Sequence, residues 1–167
     1  MKLGITGKLV LKAALLAMLL ALASSCGGEG GSNQKTVLKL STTGLPSEPI
    51  SSISISIAMP QGVQPRLNPD LSVPDSVVQV SGVAMPGSTS NVWFGLPRNG
   101  SNFGGGLNFT ITTSNPAGFG VGEFATVSLD AGSHTSSDFT ISPLFSAAGI
   151  DHAPVSGISP TLAVVYE

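Results

Sequence analysis

Residues 51–59 read Ser51-Ser52-Ile53-Ser54-Ile55-Ser56-Ile57-Ala58-Met59. Apolar side chains fall on every second position and small or polar ones on the positions between. Successive side chains of an extended strand point to opposite faces, so this stretch has one buried face and one wet face. A helix of the same composition would scatter its isoleucines around the axis. Pro60 and Gly62 stop the strand.

The same period of two continues outward in both directions. Val37-Leu38-Lys39-Leu40 opens the run of strands, and Val77-Val78-Gln79-Val80 with Val83 forms another, ended by Pro86-Gly87. Residues 91–96 contain Val92, Trp93 and Phe94. Leu107, Phe109 and Ile111 alternate with Asn108, Thr110 and Thr112. Residues 123–129 put Phe124, Thr126 and Ser128 on one side, with Ala125, Val127 and Leu129 on the other. Phe139 and Ile141 alternate with Thr140 and Ser142, and residues 158–166 close the chain. Pro65, Pro69 and Pro74 mark a loop, and residues 98–106, with four glycines and two asparagines, read as a mobile turn. Residues 144–148 are the single expected helical turn. Eight or nine short strands with Gly- and Pro-rich turns predict an all-β fold, an antiparallel β-sandwich over residues 35–167.

Composition narrows the function classes. Of 167 residues, 41% are hydrophobic and only 10% charged, against about 25% charged in an average globular domain. Seven Lys and Arg in total exclude a nucleic-acid binder that works through a basic patch. A single Cys excludes a disulfide scaffold and a Cys-built zinc site.

That single Cys lies in an informative place. Lys2, Lys8 and Lys12 precede an unbroken apolar run over residues 13–23. Eleven residues are too few for a membrane-spanning helix, which takes about 20, and fit the apolar region of a secretory signal. Small residues follow, then Cys26. The stretch Leu22-Ala23-Ser24-Ser25-Cys26 resembles a bacterial lipobox, with Ala23 where that family usually has Leu. The resemblance implies a lipoprotein signal peptide over residues 1–25, cleavage before Cys26, and diacylglycerol and acyl chains on Cys26. Each buried CH₂ adds about 0.8 kcal/mol, so several chains anchor stably where one does not. The alternative is an ordinary signal cut after Ala23 or Ser25, with Cys26 left as a thiol. Residues 26–34 then form a lipidated Cys and a Gly-rich tether. By the same resemblance, Gly27 rather than Asp after the Cys points to the outer membrane. Loss of the three signal lysines leaves four basic and nine acidic residues, a net charge of −5.

The strand region resembles a cohesin-type domain of the carbohydrate-binding-module-like sandwich superfamily, over roughly residues 36–167. The carrying segments are Asn115-Pro116-Ala117-Gly118-Phe119-Gly120-Val121-Gly122-Glu123-Phe124-Ala125-Thr126-Val127-Ser128-Leu129, Ser137-Asp138-Phe139-Thr140-Ile141, and Phe145-Ser146-Ala147-Ala148-Gly149-Ile150-Asp151 with Val155-Ser156-Gly157-Ile158. Gly149 stands near a position where the family commonly has an acid, and no calcium loop of the dockerin kind is present. The resemblance implies the receptor side of a protein pair, since cohesins bind dockerins through one sheet face.

No chemistry-bearing pattern stands against a binding role. No G-x-S-x-G turn occurs. His134 and His152 fall in turns, and Asp70, Asp75, Asp130, Asp138 and Asp151 fall in or beside loops, where a weak calcium site from the last three is the sharpest alternative to plain solvation. Gly104-Gly105-Gly106 lacks the Lys-Ser or Lys-Thr of a phosphate loop. Trp93, the sole Trp, is expected in the core between Val92 and Phe94. Its functional alternative is a ligand contact, because sugars stack on exposed aromatics. The expectations are therefore a non-catalytic, lipid-anchored protein of the cell envelope with no cofactor or metal. Its partner is a dockerin-like or other envelope protein, or, alternatively, a polysaccharide that an exposed Trp93 would favour.

Overall fold

The isoleucines of the Ser51–Met59 repeat lie where the alternation puts them. Ile53, Ile55, Ile57 and Met59 are buried, and the serines between them reach solvent. The structure is a computed structural model that describes residues 35–96, 103–130, 132 and 134–167, and these form one compact unit. The expected signal peptide, Cys26 and the expected tether lie outside the described residues.

Among the described residues nine strands run in chain order: β1 (Thr36–Gly44), β2 (Ile50–Pro60), β3 (Val78–Val80), β4 (Gly87–Gly95), β5 (Phe103–Thr113), β6 (Gly122–Leu129), β7 (Thr140–Ile141), β8 (Ser146–Gly149) and β9 (Ile158–Tyr166). They form two antiparallel sheets, one ordered β3-β6-β1-β9 and the other β4-β5-β2-β7, with β8 also paired to β2. The chain is a β-sandwich. Leu38 and Leu40 of β1 and Ala125, Val127 and Leu129 of β6 meet the β2 isoleucines and Leu107, Phe109 and Ile111 of β5 in one core. Full burial of such a side chain contributes roughly 1.5–3 kcal/mol, so β2, apolar on every inward position, is the segment the core depends on most.

Two of the one-residue insertions in this frame re-aim an aromatic side chain. Across β1 and β6, Leu40 faces Ala125 but Ser41 faces Glu123, leaving Phe124 as an extra residue. Phe124 and Ala125 both turn inward, and Phe124 is fully buried. Strict alternation puts Phe124 opposite Ala125, and the bulge overturns that expectation. It also turns Glu123 outward, 3.6 Å from the Lys39 ammonium. The second insertion lies in β4. Ser90 faces Thr110 and Trp93 faces Asn108, so Asn91 and Val92 together oppose Phe109.

Three further expectations are corrected. The expected helical turn over residues 144–148 is instead a turn followed by β8, which pairs with β2 at Ala147↔Ile53 and Ser146↔Ser54. Burial of Ala147 against β2 outweighs the helix propensity of two alanines. Residues 103–106, read as part of a mobile turn, belong to β5, while 97–102 lie outside the described residues. The glycines there permit close approach rather than a reversal. A Cβ on Gly104 would stand 2.0 Å from the Pro60 carbonyl oxygen, and one on Gly105 would stand 2.5 Å from the Phe94 ring. Val83 lies not in a strand but in a 3₁₀ turn, Gly82–Ala84. The Ser81 N–H makes the last bond to β6, at the Phe124 carbonyl, and the chain then crosses to the other sheet as Ala84 enters the core.

Candidate functional site

The outer face of the second sheet is built from the polar half of the alternation. β2 presents Ser54 and Ser56, and β5 presents Asn108 and Thr110, paired as Ser54↔Thr110 and Ser56↔Asn108. The Ser54 and Thr110 hydroxyls are hydrogen-bonded to each other at 3.0 Å. The Asn108 amide donates to the Gly106 carbonyl at 3.2 Å, which leaves its oxygen to accept from a ligand. Hydroxyls and an amide placed two per strand give donors and acceptors without net charge.

Trp93 stands at the margin of this face. Its position follows from the bulge. Counting from Thr89 opposite Ile111, strict alternation would send Asn91 and Trp93 inward. Asn91 instead takes a left-handed conformation (φ 51°), which Asn tolerates better than most residues because its short amide bonds locally. The phase reverses there. Val92 and Phe94 pack against the core, and Trp93 is 56% exposed. The core expectation for Trp93 is therefore overturned, and its exposed alternative is the one observed. The indole lies back along β4 over Gly95, where a Cβ would come within 2.9 Å of its six-membered ring. Gly95 is thus a shelf that holds the ring close to the sheet.

Opposite Trp93, Leu144 projects from the β7–β8 turn with 78% of its surface exposed. Trp93 and Leu144 flank a shallow groove of about 160 Å³ floored by Ser54, Ser56, Asn108 and Thr110. An apolar wall at each side and a neutral hydrogen-bonding floor suit a ligand with apolar faces and hydroxyl edges. The sequence shows each of these floor residues only as a wet position. Their assembly depends on the pairing of β2 with β5, some fifty residues apart, and Leu144 depends on β8 joining β2.

Among the described residues the titratable side chains do not converge on one site. Asp130 and Asp138 lie at the end of the sandwich where β6 finishes, and Asp151 at the other end, after β8, so the three do not make one calcium site. Among the described residues no group of three His, Cys, Asp or Glu side chains is placed to hold a metal. Asp138 caps a 3₁₀ turn, Ser136–Asp138. Its carboxylate accepts from the Thr135 N–H at 2.7 Å and from the Thr135 hydroxyl at 3.0 Å, and these bonds hold it below the ordinary Asp range. Asp70 is lowered in the same way by the Ser72 hydroxyl and then the Ser72 N–H. His134 sits edge-on to Phe139, with its Nδ1 3.7 Å from the Asp138 carboxylate, and its carbonyl accepts from the Tyr166 hydroxyl. His152 occupies the turn after β8 with φ 66°. A second hollow, of about 370 Å³, is lined by Pro46, Glu48, Pro49 and residues 117–120, with a single carboxylate.

Comparison of the chain with protein-family models, with curated proteins and with solved structures gave no match.

Proposed function

We propose that this chain is a non-catalytic, lipid-anchored protein of the cell envelope, held by Cys26 in the outer membrane, whose cohesin-like sandwich binds a partner through the Trp93 face. The observation that carries the reading is the outward turn of Trp93 over a neutral floor of Ser54, Ser56, Asn108 and Thr110. A free, half-exposed indole contributes little to folding. Its negative π face attracts the polarised C–H groups of a sugar ring, while the floor meets the hydroxyl edge. A polysaccharide is therefore the occupant that this face favours. The bulge at Asn91 supports the same reading, because β-bulges characteristically re-aim a side chain at a binding site.

The protein-partner reading is the alternative. It draws support from the open sheet edge described below rather than from this face.

Trp93 is the only tryptophan, so intrinsic fluorescence reports on this face alone. Titration with solubilised envelope polysaccharide is expected to shift and saturate the emission, and Trp93→Ala is expected to abolish retention on the insoluble polymer. Unmoved emission together with equal retention of Trp93→Ala would remove the saccharide reading. The anchor is tested separately. Labelling with radioactive palmitate is expected in the natural chain and lost in Cys26→Ala, and labelling that persists in the variant contradicts lipidation at Cys26.

A further inference from the structure

Among the described residues the sandwich has several strand edges, and all but one are short or kinked. β4 is kinked by its bulge at Asn91. β3, β7 and β8 have three, two and four residues. β9 is different. It has nine residues, pairs with β1 without a register shift, and carries no charged side chain. Natural sheets usually guard such an edge with charge, a bulge or proline.

The hydrogen-bond pattern shows which backbone groups are open. Lys35 and Glu167 exchange both bonds, at 3.0 and 2.9 Å. In an antiparallel ladder such pairs recur at every second residue, so residues 165, 163, 161 and 159 face β1. The N–H and C=O groups of Leu162, Val164 and Tyr166 point away from it. Among the described residues they make no other backbone hydrogen bond. Pro160 also points outward and has no N–H to offer. It guards the first third of the edge and leaves the remainder open.

We infer that the open edge of β9 pairs antiparallel with β9 of a second copy of this chain, on a two-fold axis through Val164. Only even-numbered residues present backbone groups to the edge, which restricts the possible registers. Alignments that oppose Val164 to Pro160, or Tyr166 to Pro160, lose donors at the proline. Those centred beyond Val164 bring fewer residues of β9 into register. The alignment with Val164 opposite Val164 keeps Pro160 outside the ladder and exchanges bonds at three pairs: Leu162 with Tyr166, Val164 with Val164, and Tyr166 with Leu162.

The side chains fit the same register. Tyr166 and Val165 are 39% and 37% exposed. On the inner face Leu162 of one copy would cover Tyr166 of the other. On the outer face Ala163 would meet Val165, beside the buried Val37 that already faces Val165 across β1. Glu167 would fall opposite Thr161, so no charge meets its like. Aromatic–aliphatic pairs directly across strands are the favourable kind. The product is one continuous eight-stranded sheet. This inference is independent of what occupies the Trp93 face.

The test is the molar mass of the purified full-length chain by sedimentation equilibrium in density-matched detergent. The expected result is two chains, falling to one in Val164→Pro and in Val165→Lys. The first removes an edge donor that β1 does not use. The second puts a charge on the exposed outer face, so it keeps the fold even if the proline variant does not. Disulfide trapping fixes the register. Ala163→Cys mixed with Val165→Cys is expected to cross-link above the level of the unsubstituted chain, and neither variant alone is. A one-chain mass for the natural sequence overturns the inference. So does a two-chain mass retained in both variants, or self-linking of Ala163→Cys alone.

Discussion

Two bulges, that of β6 in one sheet and that of β4 in the other, do opposite things with an aromatic residue. In β6 the extra residue is Phe124 itself, and the insertion turns it into the core, where it is fully buried. In β4 the insertion falls two residues before Trp93 and turns it out of the core, to 56% exposure. Both strands would read the other way under strict alternation. The difference separates an aromatic buried in the core from one left in solvent. Which is which is decided by the local backbone rather than by the side chain's hydrophobicity.

The largest test of the contrast is truncation of both rings. Phe124→Ala is expected to lose about 3–5 kcal/mol of stability by urea unfolding, as large-to-small changes in a packed core do. Trp93→Ala is expected to stay within about 0.5 kcal/mol while losing polysaccharide retention. Equal losses from the two would erase the distinction.

A smaller effect is expected from the bulge residue. Asn91→Val places a β-branched side chain at φ 51° and is expected to cost about 1–2 kcal/mol, measured by thermal or urea unfolding. Asn91→Gly should cost little and leave Trp93 exposed. If Asn91→Val is neutral, the left-handed turn is not what reverses the phase of β4.

The β6 bulge has a neighbour with an unsatisfied hydroxyl. Thr42 pairs with Gly122 just beyond it and is 2% exposed, with a hydroxyl that finds no hydrogen-bond partner. Thr42→Val keeps the shape and removes the orphaned group, so a gain of about 1 kcal/mol is expected in the same unfolding assay. A loss of stability would mean that the hydroxyl is bonded after all.

The smallest effect is an acid control that should touch neither bulge. Asp138 is held below the ordinary Asp range by the Thr135 N–H and hydroxyl. A group depressed in the folded state contributes stability above its unfolded pKa and loses it as pH falls through the folded value. Protection of the 135–138 amides, taken relative to the intrinsic exchange rate at each pH, is therefore expected to fall only below the ordinary Asp range, with the exposure of Trp93 unchanged. Protection already lost at neutral pH would argue against the cap.

Most of the sandwich was legible because its signal is local. The Ile53 to Met59 alternation, the β5 alternation and the closing strand each declare their buried face residue by residue. What escaped was non-local. Gly104 and Gly105 look like a turn until the Pro60 carbonyl and the Phe94 ring are seen against them. Residues 144–148 look helical until β2 claims residues 146–149 as β8. The site escaped for a related reason. Ser54, Ser56, Asn108 and Thr110 are ordinary wet positions in one dimension, and they become a floor only when β2 and β5 pair. Trp93 was legible as a candidate but not as an exposed one, because an inserted residue shifts the phase without leaving a mark in the hydrophobic pattern. Asn91, tolerant of a left-handed backbone, was the single available hint.

The central claim is that the β4 bulge faces Trp93 to solvent. Acrylamide and iodide quenching of the single tryptophan tests it most directly. The account predicts ready quenching by both agents in the free protein, and protection once a saccharide ligand saturates the face. An indole shielded from both quenchers in the free protein would place Trp93 in the core, and with it the proposed binding face would be lost.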